Sequence, residues 1–320
     1  MSGKINYRPN SQVADTMKIL VTGSSGFIGS ALLPLLMSKG HDVRGMVRSS
    51  ATPGSDDIEW DPIRRSINAK ALEGFAAAVH LAGESIAGGR WTAAKKRRIR
   101  ESRAIGTRFL VDTLTGLSKP PGVLICASAV GYYGTRGAKL LREDSPPGHG
   151  FLPDVCQAWE AAANAAAARG MRVINLRIGL VLGATGGALV KMLTPFKMGL
   201  GGPVGDGGQF WSWIMLDDLL AVVLHALEKG DLAGPVNAVS PNPVTNRDFS
   251  ITLARVLSRP AVAAVPAFAL RLLMGEMADE LLLASARVEP ARLLESGFKF
   301  QFPDLEPALR HLFAPSSQPK

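Results

Sequence analysis

The sequence predicts an α/β protein: a doubly wound parallel sheet with a smaller C-terminal lobe. Three observations carry this. Short apolar runs alternate with helix-length stretches through the first 183 residues. Three glycines at three-residue spacing sit between the first such run and the first helix. After Gly183 the alternation gives way to a glycine-rich stretch and a less regular pattern.

The elements follow in order. "MKILVT", from Met17, is almost continuously apolar and is followed by glycines and "FIGSALLPLLMSKG". That reads as a buried parallel strand, a tight turn and a helix ending at Gly40. "DVRGMVR" and "IEW" read as the second and third strands, "AAVHLAG" as the fourth, "GVLICAS" as the fifth and "MRVINLRIGLVLG" as the sixth. Helices are expected over 91–115 and 153–169. Further on, "FWSWIMLDDLLAVVLHALEKG" reads as a strand leading into a helix. "VNAVSPNPVTNRDFSITLARVL" adds a short strand and a helix capped near Thr245 or Asn246. Residues 260–312 hold more helix. The expected organisation is a loose extension over 1–16, a nucleotide-binding domain over 17–183, a substrate lobe over 184–313 with some elements free to return to the sheet, and a frayed tail over 314–320.

Composition excludes several classes of function. The 320 residues are 47% hydrophobic and 20% charged, with no apolar stretch long and clean enough to span a bilayer and no apolar leader near the start. Two cysteines without a CxxC pattern and five scattered histidines give no zinc-ligand spacing and point to a reducing, cytoplasmic setting. The net charge of +9 is concentrated in "KKRRIRESR", Lys95 to Arg103. With no zinc-finger, RRM-type or recognition-helix pattern beside it, this reads as the solvated face of a helix whose apolar side carries Ala94, Ile99, Ile105, Phe109 and Leu110. No nucleic acid and no membrane is expected as partner. Oligomeric state is not encoded in any pattern here.

The glycine turn "VTGSSGFIGS" points to a dinucleotide. Gly23 permits the sharp turn, Gly26 lets backbone approach a pyrophosphate, and Gly29 allows close helix–strand packing. Ser25, Phe27 and Ile28 complete the turn, and the helix start offers free N–H groups and positive potential. Where the second strand should end, an NAD site usually carries an acid for the ribose 2′-hydroxyl. This chain has Arg48 there, suited to a 2′-phosphate, so NADP(H) is favoured over NAD(H). Asp61, ending the third strand, is placed to accept from the adenine amino group. Leu81, Ala82 and Gly83, leaving the fourth, are small or apolar enough to pass close to cofactor ribose, and Glu84 and Arg90 follow on the same loop.

Taken together, "VTGSSGFIG", "VHLAGESI", "ICASAVGYYG", "LRIGLVLG" and "GDGGQFWSWIMLDDL" resemble the extended short-chain dehydrogenases/reductases and sugar-nucleotide epimerases of the NAD-dependent epimerase/dehydratase superfamily. "RW" before the basic helix, "SAVGYYG" and "VEPARLLESGFKFQFPDLEPALRHLF" resemble its atypical "epimerase family protein" branch, which has its own C-terminal domain of uncharacterised function. The resemblance implies a Rossmann-type core, a nicotinamide cofactor and a cleft under the C-terminal lobe, but no particular substrate. In that superfamily a Ser, and a Tyr and Lys four apart on the helix after the fifth strand, serve proton exchange. Ser128 matches the Ser, whereas Leu152 and Cys156 stand at the Tyr and Lys positions. The phenol, if one acts, is expected from Tyr133, as an acid–base group or as an aromatic wall of the pocket. Lys95 or Lys96 would supply a substitute cation, and "GGPVGDGGQFWSWI" a mobile loop with Trp211 and Trp213 over the substrate. The expectation is an NADP(H)-binding oxidoreductase or epimerase-like protein acting on an unidentified small molecule. The alternative is a non-catalytic NADP(H) sensor with a protein partner.

Overall fold

A computed structural model describes residues 16–48, 56–261 and 264–314. The expected N-terminal extension (but for its last residue) and all but the first residue of the expected tail lie outside the described residues.

The chain begins with β1 (Lys18–Thr22), α1 (Phe27–Ser38), β2 (Asp42–Val47), β3 (Ile58–Asp61), β4 (Ser66–Ile67) and β5 (Ala77–His80). It continues with α2 (Ala93–Thr115), β6 (Val123–Ala129), β7 (Leu140–Leu141), α3 (Phe151–Asn164), β8 (Arg172–Ile178) and β9 (Leu180–Leu182). The second half holds α4 (Gly187–Lys197), β10 (Phe210–Trp211), β11 (Trp213–Met215), α5 (Leu216–Glu228), β12 (Gly234–Ala238), β13 (Val244–Thr245) and α6 (Asn246–Val256). It closes with α7 (Ala267–Met274), β14 (Arg287–Val288), α8 (Ala291–Glu295) and α9 (Leu305–Phe313).

Among the described residues the main sheet runs β12-β8-β6-β5-β1-β2-β3-β4, parallel except for the antiparallel β3–β4 edge. Order reverses between β1 and β5, and a crevice at the carboxyl ends of the strands is the expected ligand site of such a sheet. The strands are buried on both faces: one core packs α1 and α5 residues such as Leu32, Leu36 and Val222 against the sheet. The other packs α2 and α3 residues such as Leu110, Leu114 and Trp159 on the opposite face. A third core, around Trp213, Phe249 and Leu309, belongs to the lobe.

Two expectations change. The sixth apolar run divides at Gly179, where a Cβ would lie 2.5 Å from the Ser212 carbonyl, so β8 stays in the main sheet while β9 pairs with β11. And β12, from beyond residue 183, returns to pair with β8 from Gly234 to Ala238. The α6 cap is Thr245, whose side chain accepts from the Asp248 N–H. On α2, Ile99 and Leu110 are buried as expected, but Ile105 is exposed and Lys95 is buried, so the basic run is not uniformly a solvated face. No helix among the described residues is long and apolar enough to cross a membrane.

Candidate cofactor crevice

The glycine turn follows β1, where its chemistry requires it. Gly23 has φ +68°, and a Cβ there would sit 2.9 Å from the Ala82 nitrogen, so the turn and the β5 exit touch through bare backbone. A Cβ on Gly29 would overlap the Gly23 carbonyl, which is why α1 packs so closely. Gly26 caps α1, whose first turn carries no acid, leaving the positive end of the helix uncompensated. Ser25 and Gly26 are exposed, with Phe27 and Ile28 half-buried beside them. The loop after β9 wraps the Phe27 ring: Cβ atoms on Gly183, Gly186 and Gly187 would lie 2.6, 2.5 and 2.9 Å from it.

Arg48 leaves the end of β2 with an exposed side chain, and Asp61 ends the neighbouring strand. Asp61 Oδ1 accepts from the Ile63 and Arg64 N–H groups at 2.8 and 2.9 Å. Those bonds, chiefly the one from Arg64, hold its carboxyl below the usual carboxylate range, with Arg48 adding to the effect. The carboxylate is thus half-committed to its own turn, with Oδ2 left 3.7 Å from Arg64.

The β5 exit is fixed by a buried relay that the sequence reading missed. Thr22 Oγ1 accepts from the Leu81 and Ala82 N–H groups at 3.2 Å each, so its proton goes to His80 Nδ1 at 2.6 Å. His80 Nε2–H then donates to Thr107 on α2 at 2.8 Å. Burial, with Arg103 nearby, pushes His80 down to about 4, so it is neutral at ordinary pH. Gly83 is exposed. Glu84 turns toward α2 instead of the crevice: it accepts from Lys95 Nζ at 2.6 Å, with Arg98 at 3.6 Å. Arg90 lies against Gly275 of the lobe, where a Cβ would be 3.5 Å from its Nε. The turn, Leu81–Gly83, Arg48 and Asp61 are brought along one crevice; Glu84 and Arg90 are engaged elsewhere.

The expected catalytic pair is not there. Ser128 is buried and donates to Glu160 Oε1 at 2.7 Å. Tyr133 is fully enclosed, donating to Asn237 Oδ1 at 2.7 Å and accepting from Arg177 Nη1 at 2.9 Å. Burial pushes its phenol up to about 12. Arg177 in turn grips Glu160 through Nε and Nη2, both at 2.9 Å, and lies 3.5 Å from the Tyr132 ring centre. Ser128 and Tyr133 therefore belong to a buried ion-pair network joining β6, α3, β8 and β12, and neither lines the crevice. "YYG" gave no sign of this because Asn237 is far along the chain.

At the end of β6, Leu152 Cβ and Cys156 Sγ pack toward Gly131, where a Cβ would lie 3.4 and 3.9 Å from them. Burial raises the Cys156 thiol to about 12, so it stays protonated and inert. The other expected contributors are also spent. Lys95 is locked to Glu84, and Lys96 pairs with Glu276 of the lobe at 2.7 Å. Trp211 and Trp213 are core residues, donating to the Leu282 and Asn242 carbonyls, and form no wall over a substrate. The glycine loop before them is pinned by Gly205 N–H to the Val265 carbonyl at 2.9 Å and by Gln209 to the Val204 and Leu282 carbonyls.

Comparison with known proteins agrees with this geometry. The NAD dependent epimerase/dehydratase family model matches residues 19–239, and a domain of unknown function, DUF1731, matches 265–312. Epimerase family protein MT2273 of Mycobacterium tuberculosis is 39% identical over 91% of this chain and 96% of its own length. Human epimerase family protein SDR39U1 is 37% identical over 93% of this chain and 100% of its own. The crystal structure of the human protein with NADPH superposes with a TM-score of 0.84 at 36% identity, covering 92% of this chain and 99% of that one. A UDP-glucose 4-epimerase from Thermotoga maritima, 20% identical with a TM-score of 0.74, shares the fold.

Proposed function

The chain belongs to the NAD dependent epimerase/dehydratase family, and from that premise we propose that it is an NADP(H)-binding oxidoreductase acting on a small molecule, without a tyrosine–lysine pair. The observation that carries the cofactor choice is Arg48. It stands exposed at the end of β2, and the acid an NAD site uses there is absent. The open turn fits the rest of the nucleotide: Gly23, Gly26 and Gly29 keep side chains out, and the uncompensated α1 start favours a diphosphate. The NADPH in the human relative's crystal supports the same assignment. When bound, the nicotinamide would supply or accept hydride. The chain's own part is to position it, to keep His80 neutral beneath the β5 exit, and to wall the β6 end with Gly131, Leu152 and the unionised Cys156. None of those three side chains exchanges a proton at neutral pH, so the substrate or solvent must supply it. The free, buried thiols of Cys126 and Cys156 support a reducing, cytoplasmic setting.

The same apolar wall favours a second reading, an NADP(H) sensor without turnover. Binding separates cofactor choice from both. Arg48→Ala should weaken NADPH by roughly 10- to 100-fold, about 1.5–3 kcal/mol for a charge-assisted phosphate contact, and leave NADH nearly unchanged. Equal losses for the two in calorimetry would remove Arg48 from the site. NADPH oxidation by any of a panel of small carbonyl compounds favours the enzyme; tight NADPH binding with none favours the sensor.

A further inference from the structure

We propose that Arg103, on α2, is a cofactor-binding residue that supplies the cation at the nicotinamide end of the crevice and donates to the ribose hydroxyls there. The inference rests on the NADP(H) reading above. Its guanidinium lies against the exposed backbone of Gly83: a Cβ built there would be 3.2 Å from Cζ and 3.3 Å from Nη2. The group is stacked 4.8 Å from the Trp159 ring centre. Nη1 donates to the Glu84 and Ile99 carbonyls at 3.0 and 3.3 Å. Among the described contacts, Nε and Nη2 have no protein acceptor, and no carboxylate comes within ion-pair range of Arg103.

That is unusual within this molecule. Arg177 is matched by both oxygens of Glu160, buried Lys95 is held by Glu84, and Arg172 is occupied by three backbone carbonyls. Glu84, the acid nearest in sequence to Gly83, is already engaged by Lys95 and Arg98. A partly buried cation with unspent donors is costly unless a ligand supplies the acceptors. Strand order then says which half of the ligand. Arg48 and Asp61 mark one side of the glycine turn, at the ends of β2 and β3. Gly83 leaves β5, and the Cys156 thiol near Arg103 faces the end of β6, both on the other side. A dinucleotide spread across the turn from Arg48 brings its second ribose to Gly83 and Arg103.

The test compares NADPH with adenosine 2′,5′-bisphosphate, which lacks the nicotinamide half. In calorimetry, Arg103→Ala should weaken NADPH by about 10-fold, the loss of one charge-assisted hydrogen-bonding group. It should leave the bisphosphate within about twofold, a margin well inside 1 kcal/mol. If the alanine variant fails to fold, Arg103→Met, which keeps the stem against Trp159, carries the same comparison. Equal losses for both ligands, or no loss for NADPH, would overturn the inference. Failure of the wild-type protein to bind NADPH would overturn it together with the function proposed above.

Discussion

Tyr133→Phe removes one oxygen from the buried network, and its cost follows from the partners. The hydroxyl accepts from Arg177 Nη1 at 2.9 Å and donates to Asn237 Oδ1 at 2.7 Å. Nη1 keeps the Glu143 carbonyl at 3.1 Å, but Asn237 Oδ1 loses its donor inside a site where Tyr133 and Asn237 are both fully buried. A hydrogen bond from a charged donor contributes about 1.5–3 kcal/mol, and an orphaned buried acceptor costs about 1–3 kcal/mol. The two overlap, so a destabilisation of about 3 kcal/mol is expected, with little cavity formed because the ring remains. At about 2.1 cal/mol/K of unfolding entropy per residue, a chain of this length loses roughly 5 °C in Tm. Urea unfolding should show a lower midpoint at an unchanged slope, and calorimetry an NADPH affinity close to wild type. A variant with wild-type stability (loss under about 0.5 kcal/mol, the scale of an ordinary surface change) and impaired turnover would refute the placement of Tyr133 in the core.

Two further outcomes follow from the same structure. His80 has its folded pKa depressed to about 4. Above about pH 6.5 neither state binds the proton; between there and about 4 only the unfolded chain does, so stability should fall as pH drops, by about 3 kcal/mol in all, and the loss should end below about 4. Comparing urea unfolding of wild type and His80→Gln across that window checks it: the same slope in both would mean another group is responsible. Gly29→Ala places a methyl group against the Gly23 carbonyl and the Ser24 Cα. It should cost roughly 1–3 kcal/mol or more and weaken NADPH together with adenosine 2′,5′-bisphosphate. Unchanged binding of both would show that the turn tolerates the shift.

Much of the sheet was legible because its signals are local. The turn glycines, the apolar strand runs and Arg48 each depend on neighbours within a few residues, and the structure sets them along one crevice. The β6 end was not legible in the same way. Whether Ser128 and Tyr133 face solvent or core depends on where Glu160, Arg177 and Asn237 arrive, and those come from α3, β8 and β12. Charge runs mislead for a related reason. In "KKRRIRESR" three neighbouring cations meet different fates: Lys95 buried on Glu84, Lys96 paired with the lobe, Arg103 against Gly83. Trp211 and Trp213 looked like a pocket wall beside a glycine-rich loop, yet the parallel pairing of β11 with β9 turns Trp213 into the lobe core.

The return of β12 to the edge of β8 also bears on how such a protein can be cut and recombined. The chain splits by sequence pattern near Gly183, but a break there would strip β8 of its neighbour and leave Tyr133 and Glu143 without Asn237. The stretch matched by the epimerase family model ends at residue 239, one past the last residue of β12. That is the natural seam for inheritance. An ancestor could have exchanged everything after it, gaining a new cover for the crevice, while handing down the sheet, its buried ion pair and its nucleotide turn as one intact piece.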